Sequence, residues 1–162
     1  MRRALSLTLF AFGLTCSYAA QDAIRPTGTW AVIEYDQNGE RAPADIVKQM
    51  KVVIQAERII IQPRIVAQYK PTFNGSKKAE VVFSIEVDKS DEAGYKLDPA
   101  KGRIDLVWRG ARGETKTTLG IYELDADVLK ICFALPDKNR PKKISDNPKA
   151  GVVRMVLLRA AK

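Results

Sequence analysis

Four carboxylates, Glu34, Asp105, Glu114 and Glu123, stand in or beside alternating segments of the chain. Two of them converging in a cleft could divide acid and base roles across a glycosidic bond. Strand-borne acids also have a plainer use, as solvent-facing cross-strand partners of basic residues, and Arg109, Lys116 and Lys130 are at hand. The plainer use is the one the sequence favours. Other chemistry is missing. The chain has no His and two Cys, which excludes Ser-His-Asp and Cys-His catalysis and ordinary zinc sites. Gly110-Ala111-Arg112-Gly113 is too short for a phosphate loop and lacks the following Lys-Ser/Thr. Asp125-x-Asp127 has no third ligand, Gly or distal Glu at calcium-loop spacing and reads as a hairpin turn. The chain is therefore expected to be no enzyme, and to need no metal or cofactor.

The start of the chain indicates a compartment. Met1-Arg2-Arg3 precedes an uncharged apolar run from Ala4 to Leu14, and Ser17-Tyr18-Ala19-Ala20 supplies a small-x-small end. This is the pattern of a secretory signal peptide over residues 1–20, leaving a single domain over 21–162. The run is well short of the ~20 residues that span a bilayer, so no retained transmembrane segment is expected. A lipid anchor on Cys16 is the minor alternative, because Gly13 and Thr15 occupy positions where a lipoprotein signal places Leu and a small Gly or Ala. Without the leader only Cys132 remains, and its neighbours Ile131 and Phe133 make it a buried thiol. Loss of Arg2 and Arg3 takes the 27 basic residues to 25 against 19 acidic ones, a net charge of +6. The basic residues are scattered, which suits solubility or an anionic envelope component and gives no nucleic-acid stripe. The nearest approach to a cluster is Lys138, Arg140, Lys142 and Lys143 in one loop.

Period-two alternation dominates the rest. Thr29–Asp36 reads as a strand ended by Asn38-Gly39, and residues 43–50 as a short helix with Pro43 in its first turn. Lys51–Gln55 with Arg58–Gln62, and Arg64–Thr72 with Ala79–Val87 around Asn74-Gly75, read as hairpins. A charged loop is expected at Asp88–Glu92, then strands at Tyr95–Leu97, Arg103–Arg109, Thr115–Leu124, Val128–Leu135 and Val152–Arg159. Pro136, Pro141 and Pro148 keep the intervening loop irregular. Short strands joined in sequence by tight turns predict an all-β, antiparallel up-and-down barrel of about eight or nine strands.

Gly28-Thr29-Trp30, Tyr95-Lys96-Leu97-Asp98-Pro99, Leu119-Gly120-Ile121-Tyr122-Glu123-Leu124-Asp125, Leu129-Lys130-Ile131-Cys132-Phe133-Ala134 and Arg140-Pro141 occur together. In these the chain resembles a secreted domain family abundant in planctomycete bacteria, over about Thr27 to Leu158. The resemblance implies a small closed, lipocalin-like barrel and brings no activity with it. Two departures stand out. The stretch from Gln62 to Gly94 is longer than the family's single short hairpin, so an extra or extended hairpin is expected there, and Ile144 replaces an aromatic residue. In lipocalin-like barrels a Gly-x-Trp packs at the closed end, often under an arginine near the last strand. Here Arg154 or Arg159 could fill that role over Trp30.

The barrel mouth is the candidate site. Lys130 facing solvent sends Leu129, Ile131 and Phe133 inward, and Asp105 does the same for Ile104, Leu106 and Trp108; Ile121 and Tyr122 compete for the interior of the strand between. The expectation is a monomeric, secreted or periplasmic binding module for a small apolar or amphipathic ligand. Trp108, Tyr122, Ile131 and Phe133 would line its pocket, Arg140 would meet an anionic head, and the 136–151 loop would lie near the entrance. The alternative is a filled barrel serving as a protein-interaction or envelope-structural domain through a basic surface.

Overall fold

A computed structural model describes residues 25–70, 80–110, 112–146 and 150–161. The leader with Cys16, and the Asn74-Gly75 turn, lie outside the described residues. The elements run β1 (Gly28–Gln37), β2 (Glu40–Arg41), α1 (Ala44–Val47), β3 (Lys51–Ile54), β4 (Arg58–Gln62), β5 (Arg64–Lys70), β6 (Glu80–Glu86), β7 (Asp91–Asp98), β8 (Arg103–Arg109), β9 (Thr115–Asp125), β10 (Val128–Ala134) and β11 (Val152–Arg159). Eight of these close into one antiparallel cylinder, in the order β1-β3-β4-β7-β8-β9-β10-β11 and back to β1. This is the up-and-down barrel that the alternation predicts. The two-residue β2 extends the sheet beside β1, and β5–β6 form a separate two-stranded sheet between β4 and β7. The long Gln62–Gly94 stretch, expected to hold an extra or extended hairpin, thus holds an extra one. No helix of the described residues is long and apolar enough to cross a membrane.

Local chemistry accounts for most boundaries. Asn38 and Gly39 both have positive φ, 57° and 83°, as the favoured two-residue hairpin turn requires. β7 is the main departure: it begins at Asp91, within the stretch read as a charged loop. Its acids are drawn into the sheet by partners that are distant in sequence, Arg58 for Glu92 at 3.1 Å and Arg64 for Asp91 at 2.8 Å. In β1 a bulge between Val32 and Glu34 shifts the alternation by one residue. Trp30 and Val32 face inward before it, and Tyr35 after it, leaving Ile33 half exposed and Asp36 on the outer wall. A bulge of this kind bends its strand and re-aims the side chains beyond it.

The cylinder has two unlike ends. At one, the turns 55–57, 98–103 and 125–128 gather around the start of β1. Trp30 is fully buried there and donates its indole N–H to the Pro26 carbonyl at 2.9 Å. Arg159 lies over its ring at 4.3 Å, donates to the Thr27 carbonyl at 3.1 Å and pairs with Asp127 at 3.2 Å. Of the two arginines open from the sequence, Arg159 makes the cation–π contact, worth about 0.5–2 kcal/mol. The opposite end carries α1 and the β5–β6 hairpin and stays open.

Arg154 has another task. It projects from β11 onto the outer wall, where its side chain is 3 % exposed, and pairs with Asp36 at 2.8 Å and Glu34 at 2.6 Å on β1. Asp146, from the loop before β11, adds a third contact at 2.9 Å, and Arg41 holds Asp36 from the other side at 2.9 Å. Burial lowers the Arg154 pKa, but its bonds to Glu34 and Asp36 outweigh this and raise it, so the guanidinium stays charged. Its Nε is the buried side-chain nitrogen left without a partner among the described residues. Replacing Arg154 by Met leaves the buried Asp36 carboxylate at the closing seam with only the exposed Arg41 as its cation. We expect a loss of about 3 kcal/mol in denaturant unfolding, with Arg154→Lys intermediate; a loss below about 0.5 kcal/mol, the size of an ordinary surface change, would show that the seam closes without it.

Candidate functional site

The interior is filled toward the closed end and hollow toward the open one. Trp30, Ile104, Leu129, Ile131 and Leu157 are fully buried and pack the lower layers. Higher up, β9 contributes Gly120, Thr118 and Lys116 to the inward face, where its neighbours carry Leu106, Trp108 and Phe133. Small residues on one strand leave room that the larger residues opposite only partly reclaim. Phe133 takes the space above Gly120: a Cβ there would lie 2.6 Å from its ring and 2.8 Å from the Ile104 carbonyl oxygen. The rest remains open as a cavity of about 320 Å³, walled by Tyr35, Ile65, Leu106, Trp108, Phe133 and Met155. Gln37, Asp91, Lys116 and Thr118 supply its polar groups. Its size falls at the low end of the ~300–1,000 Å³ of small-molecule sites.

The polar groups are held in place. Trp108 donates its indole N–H to the Thr118 hydroxyl oxygen at 2.9 Å, fixing the ring against the wall. Tyr35 donates to the Gln37 side-chain oxygen at 2.9 Å, and Arg64 donates to Asp91 at 2.8 Å. The β5–β6 hairpin leans over this end, with Ile65 in the cavity wall and Phe83 meeting Tyr35 edge to face at 6.3 Å and 87°. A broader depression of about 740 Å³ lies on the outer wall over Gly94, among Glu57, Arg58, Glu92 and Arg109. Its surroundings are mixed in charge and Arg58 is already paired with Glu92, so the apolar mouth is the better-formed site.

The residues singled out from the sequence divide between two places. Trp108 and Phe133 line the cavity. Tyr122 wins the contest with Ile121 for the interior, yet it lies two residues nearer the closed end than Gly120 and packs with Ile131 in the filled half. Arg140 is on the outer wall: it forks onto Asp105, one arm at 3.0 Å, and donates to the Gly120 carbonyl. Of the 136–151 loop, the described residues 136–146 correspondingly form a strap. Leu135 and Pro136 touch the entrance, after which Arg140 and Asp146 tie the chain to β8 and β11 on the outside. Lys116 and the apolar residues of β1 and β11 at the mouth are not marked by the sequence pattern: strand register sets Lys116 opposite Trp108 and Val153 opposite Phe133, and closure of the cylinder brings Tyr35 round beside them.

The four carboxylates do not converge. Asp105 is bound by Arg140, Glu34 by Arg154 and Arg41, Glu123 stands opposite Lys130, and Glu114 accepts from the Arg112 backbone in a turn. Among the described residues no group of three His, Cys, Asp or Glu side chains could hold a metal ion. Compared with known protein families, curated proteins and solved structures, the chain matches none.

Two tests follow from the packing. Gly120→Ala drives a methyl into Phe133 and a backbone carbonyl, and should cost about 1–3 kcal/mol in denaturant unfolding; an unchanged midpoint would mean that the Phe133 ring has room to retreat. The second test is alkaline. Burial raises the Cys132 thiol above its ordinary 9.0, partly offset by Arg154, and burial followed by the Asp98 charge raises the Tyr122 phenol above 10.0. Because folding favours their protonated forms, the stability they contribute is intact below those ordinary values and lost as pH climbs through the raised ones. Unfolding midpoints should hold from neutrality to about pH 9 and then decline, with Tyr122→Phe flattening the decline. A slope that Tyr122→Phe leaves untouched would assign the alkaline loss to other groups.

Proposed function

We propose that the chain is a secreted or periplasmic binding module, without enzymatic activity, that takes a small apolar or amphipathic ligand through the open end of its barrel. Kinship with the planctomycete secreted family belongs to the same proposal. One observation carries it: a barrel whose lower half is packed with buried side chains keeps an apolar cavity of about 320 Å³ at its mouth, faced by Trp108, Phe133 and Met155. Leaving such a surface open to water is unfavourable by roughly 25 cal/mol per Å² of apolar area, and a ligand that covers it recovers that term. The filled-barrel alternative fits the lower half alone.

The cavity is too small for a bulky two-chain lipid and suits one chain or one ring system. Native mass spectrometry of the protein purified gently from its own host's extracytoplasmic fraction should retain a small molecule that is lost on denaturation. Val153→Trp, at the cavity wall, should fill the space and abolish that added mass while the protein still unfolds cooperatively. A clean apo mass, with no thermal stabilisation by a panel of single-chain lipids, would overturn the binding reading.

A further inference from the structure

We infer that the mouth selects an anionic head group, and that Lys116, rather than Arg140, is the residue that recognises it; the ligand is then a single-chain amphiphile with a carboxylate-like head. This rests on the binding reading above and narrows it. The argument is an inventory of donors and acceptors at the rim. The side-chain acceptors there each have a donor already: Gln37 Oε1 accepts from the Tyr35 hydroxyl, Thr118 Oγ1 from the Trp108 indole, and Asp91 Oδ1 from Arg64, which also neutralises the Asp91 charge. Arg64 also stands 3.8 Å from Glu86, which Lys89 approaches at 3.1 Å, so the charges on that side balance.

What remains uncommitted is of the opposite kind. Lys116 sits opposite Trp108 in the β8–β9 register, borders the cavity, is exposed and forms no ion pair among the described residues. One inward step deeper on the same strand, the Thr118 hydroxyl proton finds no acceptor among the described residues, and neither does the Gln37 side-chain amide. The rim thus offers a cation and neutral donors, with no free carboxylate. An ammonium with three donors is satisfied by an anionic acceptor, and a cationic head would meet the like charge of Lys116 beside a carboxylate that Arg64 already neutralises. Arg140 cannot serve, since both arms of its guanidinium are held by Asp105 on the outer wall.

The test is isothermal titration of the whole secreted chain with dodecanoate, dodecan-1-ol and dodecylammonium below their aggregation concentrations, followed in parallel by Trp fluorescence. Dodecanoate should bind roughly tenfold or more tighter than the alcohol, the ammonium weakest. Lys116→Met should erase the carboxylate preference while leaving alcohol binding within about twofold, and Lys116→Arg should restore it. Arg140→Gln should leave the carboxylate-to-alcohol ratio unchanged. Equal binding of carboxylate and alcohol by the native chain, or a ratio that Lys116→Met does not move, overturns this assignment and leaves the apolar-ligand reading standing. Failure of all three probes to bind overturns both.

Discussion

A cylinder of strands exists only if its first and last members pair, and here that pairing is the constraint on which the rest depends. β1 and β11 meet along a register from Trp30–Arg159 to Gln37–Val153, and an arginine of β11 guards each end of it. Arg159 seals the closed end by covering Trp30 and reaching back to the Thr27 carbonyl. Arg154 works nearer the open end, buried on the outer wall between Asp36, Glu34 and Asp146. A buried ion pair is a weak source of stability but a strong penalty on partial structures, because opening the seam leaves a desolvated charge without its partner. The same pairing leaves no long edge strand exposed in the cylinder.

The outer wall is consequently busier than a solvated barrel surface. Arg154 and Cys132 both point outward yet are buried. Arg140 and Asp146 bind the chain after β10 to β8 and β11. The basic residues that looked like a contact loop therefore act in part as fasteners. With Arg140 on the outside, the charged side chains bordering the mouth are Lys116 and an Asp91 carboxylate paired with Arg64.

The hollow half and the filled half are made by a few residues on β9. Tyr122 completes the packed layers and the Phe133 ring occupies the space over Gly120, whereas above them Thr118 and the Trp108 ring border space that stays open. The inserted β5–β6 hairpin adds Ile65 and the Phe83–Tyr35 contact, so the mouth has an apolar brow as well as apolar walls. Packed layers below and a partly covered apolar opening above thus belong to one cylinder.

The sequence by itself determined the class of fold, most strand positions, the inward sense of Ile104, Leu106, Leu129 and Phe133, and the need for an inserted hairpin. These are local facts: period-two alternation, turn residues and chain length are written within a few residues of where they act. Only the tertiary structure decided the remainder. The β1 bulge shifts a phase that alternation alone would continue, and β7 starts among charges that are tolerable because Arg58 and Arg64 stand across from them. Arg159 took the Trp30 contact and Arg154 the seam, a choice made by register and invisible in composition. Trp108 and Phe133 reached the cavity while Tyr122 and Ile131 stayed in the packed layers, because depth along a barrel depends on strand stagger. Side-chain identity says which way a residue faces; how far down the cylinder it sits, and what meets it there, follows only once the strands have paired.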